Sequence, residues 1–221
     1  MTVGQKVKSR YNRGMYKPSR ELIIPAVVIF IFLLCSCIGV EMQVELNKDN
    51  SGRITLDYSV MRALIHLGTI DEERPFYTIP ISREDFDRVV AAIDGLDLRS
   101  FKMEEDSAEV HVSAKIDFDS VDALSELFQS TGPGAIEITS SDERTVYRHQ
   151  IFSGNHVELD PDSKKMIETF FKDYHIQYTL STPLSVVATS HGEFSDKTAT
   201  AVFNVADVTI ATDPVVWEVS W

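Results

Sequence analysis

Two thiols stand two residues apart in this chain, Cys35 and Cys37, and the chain has no other cysteine. They sit in Leu34-Cys35-Ser36-Cys37, where small residues lead up to a sulfur nucleophile. If the chain were cut before Cys37, one thiol would remain. That excludes an intrachain disulfide and a zinc site built on cysteines. The six histidines are His66, His111, His149, His156, His175 and His191. None stands in HExxH or HxH spacing, so no metal site is expected. Ser153-Gly154-Asn155-His156 spells out the residues of a known hydrolase class. The four stand consecutively, without a separate nucleophile block, so they read as a turn. Asn47-x-Asp49-x-Ser51-Gly52 imitates half a calcium loop, but its twelfth position is Tyr58, not a bidentate Glu. No nucleophile elbow, Walker loop or dinucleotide fingerprint occurs. No catalytic residue, cofactor or metal is assigned, and the chain is not expected to be an enzyme. A triad assembled from separate segments stays open, because triads are defined by geometry.

What precedes Cys37 gives the thiol its setting. Lys6, Lys8, Arg10, Arg13, Lys17 and Arg20 form a basic start, and Leu22 to Ser36 is uncharged and mostly apolar. That order is a secretory signal. Leu34, Cys35, Ser36 and Cys37 resemble the lipobox read by lipoprotein signal peptidase, with Cys35 unusual at its position. The resemblance implies cleavage before Cys37 and diacylation of its thiol. The expected division is a signal peptide over 1–36 and one extracytoplasmic domain over 37–221, lipid-anchored in a bacterial envelope. The alternative is an uncleaved single-pass helix over 22–40, since about 20 apolar residues cross a bilayer. Six of the 21 basic residues and one of the 34 acidic ones precede Cys37, so the remainder carries a net charge near −18. Such a surface repels phosphates, and no nucleic-acid partner is expected.

The elements follow from periodicity. Val40, Met42, Val44 and Leu46 alternate with polar residues, and so do Ile54, Leu56, Tyr58 and Val60 after a polar turn. This reads as a β-hairpin. Ser82 caps a helix carrying Phe86, Val89, Val90 and Ile93 on one face. Strands are expected at 98–104 and 108–117. A second helix carries Val121, Leu124, Leu127 and Phe128, and hairpin strands follow at 135–140 and 144–152. Asp160-Pro161 starts a third helix striped with Met166, Ile167, Phe170, Phe171 and Tyr174. Further strands are expected at 176–181, 184–190, 199–205 and 215–220. The class is α+β: antiparallel β-hairpins packed against about three amphipathic helices. Phe86, Phe128, Phe170, Phe171 and Tyr174 supply large apolar faces. They serve as ordinary core, or they line a cavity between sheet and helices for an acyl chain.

The layout resembles the LppM-type bacterial lipoproteins and uncharacterised spirochaetal, treponemal-type lipoproteins. It shares Cys37 followed at once by an alternating strand, the Ser51-Gly52 turn, the Thr182-Pro183-Leu184 strand start, the Gly192 turn and the final Val215-Val216-Trp217-Glu218-Val219 strand. The resemblance implies an α/β module implicated in binding lipid or glycolipid, and it supplies no catalytic residues. The expected function is a membrane-anchored, non-enzymatic domain that binds lipid, amphiphile or a partner. The alternatives are an envelope hydrolase acting on lipid or peptidoglycan and a purely structural lipoprotein.

Overall fold

Alternation builds the first hairpin. The computed structural model describes residues 38–62, 80–131, 134–155 and 158–221. In it, β1 (Ile38–Leu46) pairs antiparallel with β2 (Gly52–Met61). Local polar groups hold the turn between them. Asn50 takes a left-handed φ of 65°, and the N–H and hydroxyl of Ser51 both donate to Asp49. Helix α1 (Arg83–Ala92) starts on a reciprocal cap between Ser82 and Asp85. The hairpin β3 (Leu96–Glu105) and β4 (Glu109–Phe118) follows, then α2 (Val121–Thr131). Strands β5 (Ile136–Ser140) and β6 (Thr145–Phe152) form the next hairpin. Helix α3 (Pro161–Phe171) is capped by Asp160, whose carboxylate accepts from the backbone of Asp162 and Ser163. After β7 (His175–Ser181) come β8 (Ala188–Thr189), β9 (Glu193–Ser195), β10 (Thr198–Asn204), α4 (Val205–Ile210) and β11 (Val215–Ser220).

The described strands form two sheets. One has seven strands in the order β3-β4-β2-β1-β7-β10-β9, and the other has four in the order β5-β6-β11-β8. The fold is α+β. Pairing is antiparallel except where β1 meets β7, which it joins in parallel with Ile38 opposite His175 and Val44 opposite Leu180. The first described strand is therefore the middle strand of the large sheet.

Three expectations change. The uncharged run over 22–40 is not one helix, because Ile38, Gly39 and Val40 belong to β1; residues 22–37 lie outside the described residues. The strand expected at 184–190 shrinks to Ala188–Thr189. Its first half is pulled out of the ladder by other partners. Thr182 Oγ1 donates to the carbonyls of Leu184 and Lys197, Ser185 Oγ to Asp196, and Val186 N–H to the Asp196 carbonyl. Finally, α4 stands where only loop was expected between 205 and 215. Asn204 caps it by accepting from the N–H groups of Ala206 and Asp207.

The core lies between the sheets. The inner face of the large sheet contributes Val44, Ile54, Tyr58, Val112, Ile116, Tyr178 and Leu180. Helices α1 and α2 cover one part of it with Phe86, Leu124, Leu127 and Phe128. The small sheet covers the rest through an aromatic cluster. Trp217 stands 6.1 Å from both Tyr147 and Tyr178, and His149 lies 5.0 Å edge-on from Tyr178 and 4.6 Å from Phe128. Such pairs add to plain area burial. His149 is fully buried, and its Nδ1 has no hydrogen-bond partner. Desolvation there pulls the imidazole from its ordinary 6.5 down to about 3.

That histidine gives stability a pH dependence. Folded His149 stays neutral while the unfolded chain takes up a proton below pH 6.5. The unfolded state thus binds more protons between about 6.5 and 3, and stability falls as pH drops through that window. The slope approaches about 1.4 kcal/mol per pH unit for one proton. Urea unfolding of the wild type and His149→Leu between pH 7 and pH 5 should show the variant losing most of that slope; equal slopes would mean that His149 is not held neutral.

Candidate functional site

The five aromatic residues expected to line one cavity are not brought together. Phe86 is buried on α1, 5.4 Å from Phe101 of β3. Phe128 is buried on α2 against His149. Phe171 and Tyr174 are half-buried and meet each other edge-on at 6.1 Å. Phe170 is 62% exposed. The separation has a cause. Helix α3 does not lie on the inner face of the large sheet and buries no residue fully; it packs beside α4. Phe170 and Phe171 point about 100° apart on a helix. Phe171 turns inward and Phe170, with Met166 one turn earlier at 56% exposure, turns outward. The lipobox, Leu34 to Cys37, lies outside the described residues.

The outer face of the large sheet is polar, as an antiparallel sheet with one solvated side should be. It holds a groove of about 550 Å³ whose polar lining includes Glu41, Asp57, Ser59, Lys102, Glu104 and His111. Ser59 on β2 stands directly opposite His111 on β4, and their Oγ and Nδ1 are 2.6 Å apart. The other ring nitrogen is 3.9 Å from both Asp106 and Glu109, too long for a hydrogen bond. Asp106 is committed to the β3–β4 turn. It accepts from the N–H groups of Glu109 and Ala108, which hold its carboxyl below the usual range. A serine beside a histidine can be a nucleophile and its base, but here the orienting acid is missing and the pair is open to water. Sequence reasoning missed this pair because β2 and β4 are not neighbours in sequence, so periodicity cannot pair them.

A second groove of about 480 Å³ lies at the far end of the same face. Asp117 there binds Arg53 and Arg99, each through Nε at 2.6 Å. Hydrogen bonds from the two guanidinium groups hold the Asp117 carboxyl below its usual range. The arginines are thus spent on Asp117. Among the described residues, no three His, Cys, Asp or Glu side chains are grouped closely enough to hold a metal ion. In the 153–156 tetrapeptide, Asn155 Nδ2 donates to the carbonyls of Thr209 and Ala211, and Gly154 takes a φ of 83°. Its Asn is therefore a tie to the C-terminal end of α4; His156 lies outside the described residues. No described helix is long and apolar enough to cross a membrane.

No family model matches the chain, and no curated protein matches it. The fold is similar to the NMR structure of the folded domain of the Mycobacterium tuberculosis LppM protein. The TM-score is 0.48 at 7% identity, over 83% of this chain and 88% of that one. The likeness gives nothing to the spirochaetal resemblance and carries no functional argument.

The split between Phe128 and Phe170 has a measurable consequence. Phe128→Ala should cost about 3–5 kcal/mol, as a buried ring truncated in a packed core does. Phe170→Ala should stay within about 0.5 kcal/mol, as a surface change does. Chemical denaturation of both variants checks this, and a large loss at Phe170 would mean that α3 is packed more deeply.

Proposed function

We propose that the chain is an envelope lipoprotein, cut before Cys37 and acylated on its thiol, whose domain works outside the cytoplasm as a non-enzymatic interaction module at the membrane surface. The observation that supports this best is the start of β1 at Ile38, the residue after Cys37. The sheet's middle strand takes the end of the apolar run for itself. Leu22 to Cys37 leaves 16 residues before the strand. As a helix they would reach roughly 24 Å, short of a hydrocarbon core of about 30 Å. That length suits a cleaved signal better than a spanning anchor. The separation of the five aromatic residues disfavours an enclosed acyl site, and the exposed Phe170 with Met166 leaves surface contact as the route to lipid or amphiphile. Radiolabelled palmitate should label the wild type and not Cys37→Ala, which should accumulate as uncleaved precursor; undiminished labelling of the variant would refute the anchor.

The hydrolase reading has one observation in its favour, the 2.6 Å contact between Ser59 and His111. Against it stand the missing acid and the open sheet face, where water competes with any developing charge. A fluorophosphonate probe should leave Ser59 unmodified. Covalent labelling that disappears in Ser59→Ala would make the chain a hydrolase instead.

A further inference from the structure

Backbone pairing fixes what stands beside the anchor. Ile38 lies opposite His175, so the chain enters the large sheet where α3 hands the backbone to β7. A Cβ on Gly39 would come 2.9 Å from Tyr174 Cδ1, and the Tyr174 ring in turn packs on Phe171. The last turn of α3 is therefore a close neighbour of the first residues of β1. Phe170 is five residues before His175, a reach of at most about 17 Å. Met166 and Phe170, four apart on α3, project from the same face into solvent. The helix turns its half-buried Ile167 and Phe171 the other way.

Charge distinguishes this corner from the rest of that end. From Asp162 to Asp173 three acids are balanced by Lys164, Lys165 and Lys172, in a domain with a large acidic excess. Three strands across, the β3–β4 turn at the same end carries Glu104, Glu105, Asp106 and Glu109. With Asp207 of the adjoining α4 counted, this corner carries one net negative charge, so a bilayer brought up to this end would meet a nearly neutral apolar corner on one side and an acidic hairpin on the other.

We propose that Met166 and Phe170 form a membrane-docking tip, which enters the headgroup region of the lipid bilayer beside acylated Cys37 and sets the tilt of the domain. The proposal rests on the lipoprotein reading. With no residue between Cys37 and β1 there is no slack, so the tip faces lipid at high effective concentration and needs little affinity of its own. Apolar side chains of this kind settle at the boundary between headgroups and acyl chains.

The test uses the protein expressed from its whole sequence and extracted from membranes, placed in phosphatidylcholine vesicles containing a lipid with a nitroxide near its headgroup. An environment-sensitive fluorophore is attached through Phe170→Cys, and in a second protein through Leu184→Cys. Leu184 is 57% exposed, much like Phe170, but lies past the opposite end of β7, about 20 Å away. Several-fold stronger quenching at 170 than at 184, with a blue-shifted emission at 170 alone, is expected. The wild type is labelled in parallel. It takes up no dye if Cys35 has been removed and Cys37 acylated. Equal quenching at both sites, or none at 170, with a dye-free wild type overturns the docking tip and leaves the lipoprotein reading standing. A wild type that takes up dye at Cys35 and Cys37 overturns the lipoprotein reading and the tip with it.

Discussion

The parallel pairing of β1 with β7 is the constraint on which the rest of the molecule depends. It joins residues about 136 positions apart in sequence and makes the first described strand the centre of a seven-stranded sheet. β2, β4 and β3 are added on one side of β1, and β7, β10 and β9 on the other. Because the two central strands run the same way, α3 must return the chain to the end where β1 began. That return brings α3 and Tyr174 alongside the start of β1, and β10, which ends with Asn204 opposite His175, delivers α4 to the same corner. An antiparallel partner for β1 would have sent the chain away from that corner.

The aromatic layer between the sheets follows from the same arrangement. Tyr178 sits on β7 next to the middle strand and faces the small sheet, where Trp217 and His149 meet it and Tyr147 packs on both of them. β11 lies between β6 and β8, so Trp217 reaches the cluster from the centre of its own sheet. Its indole N–H is satisfied by Thr189 of β8, at 2.9 Å. His149 is the polar member of this cluster whose Nδ1 has no hydrogen-bond partner. An unpaired buried nitrogen costs stability, and desolvation favours its neutral form.

Much of this was legible in the sequence, for local reasons. Alternation at 40–46, 54–60 and 110–116 gave strands, because side chains on a pleated strand take opposite faces. Ser82 with Asp85, and Asp160 with Pro161, marked helix starts by supplying acceptors where the first N–H groups lack them. Pairing between distant strands was not legible, since period two says that a strand has a buried face and not which strand lies beside it. That is why the parallel β1–β7 join and the Ser59–His111 contact went unseen. The stripe on α3 misled for a related reason. Met166, Ile167, Phe170 and Phe171 make a helix face wide enough to be divided, and only the α4 contact decides which half is covered. The segment at 184–190 looked like a strand because its apolar residues are β-formers, yet side-chain hydrogen bonds to Asp196 and Lys197 took its backbone elsewhere.

Because β1 starts at Ile38, an anchor on Cys37 would meet the fold at a single peptide bond. The intact mass of the protein extracted from membranes tests that claim most directly. The expected mass is that of residues 37–221, raised by a diacylglyceryl group on Cys37. An unmodified chain that retains the residues before Cys37 would contradict it.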